Sequence, residues 1–376
     1  MKKMEDINNH VFCGDCLDVM AEFPDNSIDS IVTDPPYGLK FMSKEWDREV
    51  PGIPFWEEAL RVVKPGAHML AFGGTRTHHR LMTAIEDAGW EIRDCIMWIY
   101  GSGRPKSLDI SKAIKKIEIE NAEEWDGWGT GLKPAYEPII LARKPVEGTI
   151  AENVLAWGCG GINIDICRVE SESSTNPAIL GRWPGNIILD EESGILLDYQ
   201  SGNKCGAAAP VKKGYNGESK GIYGNFAEKG DNGKSFRGDT GGASRFFYCA
   251  KASRSERGED NDHLTVKPLA LIRYLIRLIT PLGGLTLDMF AGSGTAAEAA
   301  LDEGMEFVCI DIDPHHIDII KNRVKKHKAV KGVSVISVTD PEYLICQQKD
   351  VSFNVNCNRE IQLGIMDFMG AAIVEK

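Results

Sequence analysis

The stretch Leu285–Leu301, LTLDMFAGSGTAAEAAL, combines three features that decide the fold. Its first five residues are mainly apolar and predict a buried strand over 285–289. Gly292 and Gly294 follow, and glycine lets a backbone approach a ligand closely. The alanine-rich run after them predicts a helix over 295–302. A strand, a glycine loop and a helix in this order are typical of α/β proteins that bind a nucleotide-like ligand at the carboxyl end of the strand.

An acidic residue stands where such a ligand presents its ribose. The next predicted strand, over 307–312, contains Asp311 about 20 residues after the loop, a spacing suited to ribose hydroxyls. Asp313 is better explained as a cap for the helix that begins near Pro314. The loop lacks the full GxGxxG spacing, and no Lys-Ser/Thr pair follows it. These departures argue against a dinucleotide ligand.

A second motif, Asp34-Pro35-Pro36-Tyr37, follows another predicted buried strand, which ends in the run Ser27–Thr33. The strand delivers Asp34 to its carboxyl end, where ligands bind in open α/β sheets. The two prolines cannot continue a sheet, and they fix the backbone that follows. A β-turn with a packed tyrosine is the plainer interpretation of the same four residues.

The motif suits chemistry at an amino group attached to a planar base. The lone pair of such an amine is delocalised into the ring, and an aspartate is too weak a base to remove its proton outright. Asp34 can instead accept a hydrogen bond from the amine, and the carbonyl of Pro35 can accept the other. Both bonds localise the lone pair, so positioning and electrostatics carry the reaction. Tyr37 offers a face for stacking a base flipped from a duplex, worth roughly 1–3 kcal/mol.

Predicted strands and helices alternate over residues 10–145 and again over 261–339, which favours a mostly parallel α/β sheet. Between them, residues 146–260 show short apolar pieces among turns and read as an inserted module. Residues 340–376 are less regular, and no role is assigned to them. At 376 residues the chain is long enough for one large domain with such an insert.

Charge is unevenly distributed along the chain. The net charge of −12 argues against a surface that binds nucleic acid everywhere. Residues 204–257, however, hold eleven lysines and arginines against five acids. This basic segment could follow a phosphate backbone. A solvated loop is the alternative.

The cysteine pattern and the apolar runs exclude several classes. Cys13 and Cys16 form the only CxxC pair, without a second pair or a histidine cluster, so reduced thiols are favoured over a zinc site and no metal is expected. No apolar run approaches the roughly 20 residues that span a bilayer, and the start of the chain lacks a signal-peptide pattern. We therefore expect a cytoplasmic protein that binds no membrane.

The two motifs together resemble the amino-group DNA methyltransferases, which modify N6 of adenine or N4 of cytosine. The order of catalytic motif, insert and cofactor motif is similar to that of their β subgroup. The resemblance implies a Rossmann-like, mostly parallel sheet of seven strands that binds S-adenosyl-L-methionine. It divides the chain into a catalytic part (10–145), a target-recognition insert (146–260) and a cofactor-binding part (261–339).

The resemblance also implies roles for individual residues. The catalytic residues are Asp34, Pro35, Pro36 and Tyr37. The cofactor-binding residues are Asp15, Asp34, Thr265, Lys267, Asp288, Phe290, Ala291, Gly292, Ser293, Gly294, Thr295 and Asp311. Candidates for DNA contacts in the insert are Arg182, Trp183, Lys212, Lys213, Arg237, Arg245 and Arg254. Leu264 and Met289 stand where relatives usually carry proline, and neither change removes a functional group.

Within this family, aspartate at the first motif position favours adenine and serine is commoner for cytosine, so Asp34 predicts N6-adenine methylation of duplex DNA. N4-cytosine methylation is the nearest alternative. RNA or protein amides, a DNA-binding protein without catalysis, and an NAD enzyme are further alternatives, although the last would leave Asp34–Tyr37 unexplained. A homodimer and a cognate restriction nuclease stay open as partners.

Overall fold

The computed structural model describes residues 7–39, 47–103, 105, 107–117, 121–170, 181–205, 220–221, 224–225, 240–250, 266–325, 327 and 334–337. The catalytic motif and the glycine loop lie within these ranges. The tail 340–376 lies outside them, and so do Thr265, Lys212, Lys213, Arg237 and Arg254.

The first part of the chain alternates strands with short helices. Its elements are β1 His10–Cys13, α1 Cys16–Ala21, β2 Ile28–Thr33, α2 Ile53–Val62, β3 Val63–Phe72, α3 His78–Asp87, β4 Glu91–Ile99, α4 Ile110–Lys116 and β5 Tyr136–Arg143. A 3-10 helix spans Ala122–Trp125. Asp15 caps α1 by accepting a hydrogen bond from the backbone N–H of Leu17 at 2.8 Å.

The middle and last parts complete the fold. The middle elements are α5 Ile150–Trp157, β6 Ile187–Asp190, α6 Glu191–Ser201, the two-residue strands β7 Lys204–Cys205, β8 Lys220–Gly221, β9 Gly224–Asn225 and β10 Thr240–Gly241, and β11 Tyr248–Ala250. The last elements are α7 Leu269–Ile279, β12 Leu285–Asp288, α8 Thr295–Asp302, β13 Glu306–Asp311, α9 Pro314–Lys325 and β14 Ser334–Ser337. The strand, loop and helix expected around Gly292 are confirmed.

Among the described residues, the main sheet has ten strands in the order β11-β6-β4-β5-β3-β2-β12-β13-β1-β14. The predicted number of seven is therefore wrong, although the mostly parallel type is right. The central seven come from the two regular parts of the chain. The extra strands are β14 at one edge and, at the other, β6 and β11, whose short apolar pieces lie within the predicted insert. The division of the chain into domains stays a prediction.

The topology brings the two motifs together. β2 pairs in parallel with β12, so Asp34 and Asp288 lie at the same end of neighbouring strands. β13 pairs in parallel with β12 on its other side and ends at Asp311. β5 runs antiparallel to β3, so the first residues of β5 lie at the edge where the parallel strands finish. Ligands of open α/β sheets bind along this edge.

The core has one layer on each face of the sheet, because successive residues of a strand point to opposite faces. Ile31 of β2 packs with Trp56 of α2 in one cluster. Val32, the next residue, packs with Leu275 of α7 in the other. β2 is buried along its whole length, so the residues that follow it are held firmly at the sheet edge. No helix within the described ranges is long and apolar enough to cross a membrane.

Candidate active site

The turn after β2 is held by side chains from two other segments. The carboxylate of Asp47 accepts hydrogen bonds from the backbone N–H groups of Tyr37 at 2.8 Å and Gly38 at 2.9 Å. The hydroxyl of Thr77 donates to the carbonyl of Tyr37 at 2.6 Å. Asp47 is buried, so these bonds are shielded from water. The turn therefore presents Asp34 in a fixed orientation.

Four polar side chains meet at this turn. The hydroxyl of Tyr37 lies 2.8 Å from Oδ1 of Asp34 and 3.0 Å from Oε2 of Glu137. The ammonium group of Lys267 lies 2.6 Å from Oδ2 of Asp34, 3.2 Å from Oε2 of Glu137 and 3.2 Å from Oη of Tyr37. We call these four residues the acid–lysine cluster. It contains two carboxylates and one ammonium group.

The acid–lysine cluster raises the pKa of two of its members, Lys267 and Tyr37. Burial opposes the charged form of Lys267, but Asp34 and Glu137 outweigh it and raise the pKa of the lysine above its usual value. Burial, then Asp34 and Glu137, raise the pKa of the Tyr37 hydroxyl well above its usual value. Lys267 therefore stays an ammonium group and Tyr37 a neutral phenol at physiological pH.

The glycine loop is tied to the strand beside it. The backbone N–H of Gly292 donates to Oδ2 of Asp311 at 2.7 Å. Gly294 has a φ of +74°, and a Cβ there would lie 2.8 Å from Cγ1 of Ile320. Only glycine meets both conditions without strain. On the helix side, Arg323 of α9 donates to the hydroxyl of Thr295 at 3.0 Å.

Asp288 is buried at the end of β12. Its Oδ1 accepts hydrogen bonds from the hydroxyl of Thr33 at 2.8 Å and from the backbone N–H of Phe290 at 3.2 Å. Burial raises the pKa of Asp288 to about 7, with further raising contributions from Asp34 and Asp311. This residue joins the strands that carry the two motifs.

A single cavity of about 1840 Å³ connects the two motifs. Its lining includes Asp34, Tyr37, Lys267, Gly292 and Asp311. It also includes Asp15, Pro35, Pro36, Asp288, Phe290, Ala291, Ser293 and Thr295. The volume exceeds the roughly 300–1,000 Å³ of a typical small-molecule pocket, so a nucleoside and a planar base fit side by side. Of the predicted catalytic and cofactor residues within the described ranges, Gly294 alone does not line it.

Three residues with predicted roles other than catalysis or cofactor binding, Asp313, Arg182 and Arg245, have contacts of their own in the structure. Asp313 accepts a hydrogen bond from the backbone N–H of His315 at 2.9 Å, which agrees with a cap at the start of α9. Arg182 donates to the carbonyl of Arg245 at 2.7 Å, and both guanidinium groups lie over the ring of Phe246. These two arginines thus stabilise the segment around Phe246, whatever else they contact.

Sequence reasoning missed Glu137, Asp47 and Arg323. Glu137 is an acid at the start of the apolar run Tyr136–Arg143, and an isolated charge at that point is a usable signal once the strand is known to be antiparallel. Asp47 accepts from backbone groups nine and ten residues before it, across a turn, and Arg323 donates to a hydroxyl 28 residues away. No local sequence pattern predicts these hydrogen bonds.

The parallel sheet and the glycine loop against Asp311 are features of an α/β protein with a site for a nucleotide-like ligand, and the acid–lysine cluster forms one corner of the same cavity. The sequence matches the family described as DNA methylase, of the N6/N4 type, over residues 28–322. The chain belongs to this family. It is an amino-group DNA methyltransferase, and its methyl donor is S-adenosyl-L-methionine.

Two relatives align with this chain over most of their own length. The type II methyltransferase M.HindIII of Haemophilus influenzae is 22% identical over 361 residues, which cover 84% of this chain and 94% of that protein. The putative methylase YubD of Escherichia coli is 38% identical over 168 residues, which cover 38% of this chain and 70% of that protein.

Solved structures of similar proteins include two methylases. One is a putative DNA modification methylase from Thermus thermophilus complexed with S-adenosyl-L-methionine, with 17% identity, a TM-score of 0.44, and coverage of 88% of this chain and 99% of that one. The other is PvuII DNA methyltransferase (cytosine-N4-specific), with 16% identity, a TM-score of 0.45, and coverage of 86% and 87%.

Proposed function

We propose that this DNA methyltransferase transfers a methyl group to the exocyclic N6 amine of adenine in duplex DNA, on a base flipped out of the helix. The observation that carries the proposal is the one cavity shared by Asp34, Gly292 and Asp311. The aspartate at the first motif position supports adenine over cytosine, as the family resemblance implies. The rigid turn at Pro35–Pro36 supports a reaction that depends on positioning.

The chemistry of the corner follows from its hydrogen-bonding groups. When bound, S-adenosyl-L-methionine would supply an electrophilic methyl group, whose bond to sulfur breaks as the bond to the amine nitrogen forms. The methylated nitrogen then releases its extra proton to the carboxylate of Asp34. Asp34 accepts a hydrogen bond from the amine of the flipped base, and the carbonyl of Pro35 accepts the second one. The lone pair of the amine is then directed out of the ring plane, and the carboxylates of the corner stabilise the positive charge that develops on nitrogen. Tyr37 stacks on the base.

The residues along the glycine loop fit the cofactor. Asp311 lies against Gly292, and Gly294 keeps the turn open where a side chain would clash with Ile320. We assign the ribose hydroxyls to Asp311 and the adenine end to the segment at Asp15. The methionine end is assigned to Lys267 and Thr265, with Asp288, Phe290, Ala291, Ser293 and Thr295 completing the site.

Contacts with DNA are assigned to the predicted insert. Lys212, Lys213, Arg237 and Arg254 are the proposed phosphate or base contacts, together with Arg182, Trp183 and Arg245. The name of the type II relative supports a cognate restriction nuclease that recognises the same sequence. We also infer a cytoplasmic location, where such a protein meets DNA. A homodimer stays an open prediction.

The test is nucleoside mass spectrometry on DNA from a methylation-free host that expresses the protein. The proposal predicts an excess of N6-methyladenine, absent when Asp34→Ala is expressed instead. N4-methylcytosine would overturn the choice of base and leave the amino-group chemistry intact. The absence of both marks, with the purified protein binding S-adenosyl-L-methionine, would contradict the assignment of a DNA base as substrate.

A further inference from the structure

We propose that Glu137 is a positioning residue, which keeps the acid–lysine cluster negatively charged and receives the hydroxyl hydrogen of Tyr37 when Asp34 engages the substrate amine. The inference rests on the proposed role of Asp34 as acceptor for that amine. It follows from counting the hydrogens and the charges of the four side chains.

The hydroxyl of Tyr37 has more acceptors within reach than it has hydrogens. The ammonium group of Lys267 has three hydrogens and lies within 3.2 Å of three acceptors, on Asp34, Glu137 and Tyr37. The hydroxyl of Tyr37 has one hydrogen and two acceptors, Oδ1 of Asp34 at 2.8 Å and Oε2 of Glu137 at 3.0 Å. It can donate to only one of them at a time.

This choice of acceptor has a consequence for catalysis. While the Tyr37 hydrogen points to Asp34, it takes one of the two acceptor positions of Oδ1, the oxygen not bound by Lys267. When the hydroxyl turns to Glu137, both acceptor positions of Oδ1 are open, and the oxygen is a stronger acceptor for the amine of the base. Glu137 allows that exchange without leaving a buried phenol hydrogen unbonded, which would cost about 1–3 kcal/mol.

The charges point the same way. Lys267 alone would neutralise Asp34, because their charged atoms are 2.6 Å apart. The reaction places positive charge on the attacking amine nitrogen of the base. An electrically neutral Asp34–Lys267 pair would stabilise that charge only weakly. Glu137 is the second carboxylate on the same ammonium group, so the cluster keeps one net negative charge. Little solvent screens it, since the Lys267 side chain is 11% exposed.

The fold explains why Glu137 reaches this corner. The antiparallel direction of β5 puts its first residues beside the end of β3, where the N–H of Gly73 donates to the carbonyl of Pro138 at 2.9 Å. Pro138 follows Glu137 directly, so the acid is anchored by the sheet. A carboxylate placed in this way is held by the backbone ladder, not by a mobile loop.

A double-mutant cycle with Glu137→Gln and Lys267→Met tests the inference. Glutamine keeps the acceptor oxygen and removes the charge. We expect Glu137→Gln to lower the single-turnover rate about 10- to 100-fold at saturating cofactor, with cofactor Kd and thermal unfolding little changed. Lys267 is also assigned to the methionine end of the cofactor, so each variant is assayed above its own cofactor Kd. Under that condition Lys267→Met restores one net negative charge, and the double variant should be faster than Glu137→Gln alone. A purely structural role predicts losses that multiply.

Two control variants separate the effect of the Glu137 charge from a general effect of substitution. Glu137→Asp retains the charge and should stay within a few-fold of the wild-type rate, and Glu86→Gln on the exposed face of α3 should leave the rate unchanged. A wild-type rate for Glu137→Gln, a double variant slower than both single ones, or equal losses for Asp and Gln would overturn the inference. Turnover by Asp34→Ala would instead overturn the proposed catalytic site itself.

Discussion

The ammonium group of Lys267 lies 2.6 Å from Oδ2 of Asp34, although the two residues are 233 positions apart in the chain. One belongs to the segment before α7 and the other to the turn after β2. The contact joins the predicted cofactor-binding and catalytic parts of the chain. In the proposed mechanism Asp34 therefore acts beside a cation, and Glu137 is the second acid on the same ammonium group.

Gly294→Ala is expected to weaken the cofactor loop. The new Cβ would lie 2.8 Å from Ile320, in a backbone conformation that alanine adopts at a cost. We expect a loss of roughly 1–3 kcal/mol in the free energy of unfolding and weaker cofactor binding, measured by denaturation and calorimetry. Gly304→Ala is the matched control, because φ is +72° there and the space is open. Equal effects of both substitutions would contradict the steric argument.

Asp311→Ala should raise the Kd for S-adenosyl-L-methionine at least tenfold. The substitution removes the acceptor for the N–H of Gly292 and the carboxylate assigned to the ribose, and hydrogen bonds to charged groups contribute about 1.5–3 kcal/mol. Asp313→Asn is the control, since asparagine caps a helix as well as aspartate does. Titration calorimetry measures the cofactor Kd of both variants, and only Asp311→Ala should differ from the wild type. A wild-type Kd for Asp311→Ala would remove this residue from the cofactor site.

Asp288 predicts a specific pH dependence of stability. Burial raises its pKa to about 7, whereas the carboxyl group of an unfolded chain titrates near 4. Between those values the folded protein holds the proton and the unfolded chain has lost it, so the free energy of unfolding falls as pH rises. Relative to Asp288→Asn, the wild type should lose roughly 4 kcal/mol from about pH 4 to about pH 7 and then level off. A difference independent of pH would refute the shift.

Neutralising Lys212 and Lys213, which lie outside the described residues, should weaken DNA binding and reduce its salt dependence. Each lost phosphate contact lowers the slope of log K against log salt by about 0.9. Binding to a duplex at several salt concentrations measures the slope. Lys325→Ala on α9, outside the predicted insert, is the control. An unchanged slope for the double alanine variant would exclude these lysines from the interface.

Most of the fold was predictable because its signals are local. The bounds 269–279 for α7 and 295–302 for α8 follow from apolar spacing and from the glycines around them. The number of strands was not predictable. β14 falls in an apolar run, 333–338, that does predict a strand. β6 and β11 have four and three residues and lie in the irregular predicted insert, and segments so short carry too little periodicity to be recognised.

The site divides in the same way. Asp34 and Gly292 were recognisable because each lies in a compact motif beside a strand. Glu137 was not, since its role depends on the antiparallel direction of β5, which brings it to Lys267 from 130 residues away. Arg182 and Arg245 were predicted as DNA contacts because the family resemblance places the target-recognition insert there, and sequence could not reveal their shared packing on Phe246.

The most direct test of the account compares the purified wild type with Asp34→Ala. The substrate is an unmethylated duplex that contains the enzyme's target sequence. Methyl transfer is measured by mass spectrometry of the product nucleosides, and cofactor binding by calorimetry on the same samples. The account predicts N6-methyladenine from the wild type, no transfer by the variant, and cofactor binding that is still measurable for both proteins. Measurable turnover by Asp34→Ala would contradict the catalytic assignment.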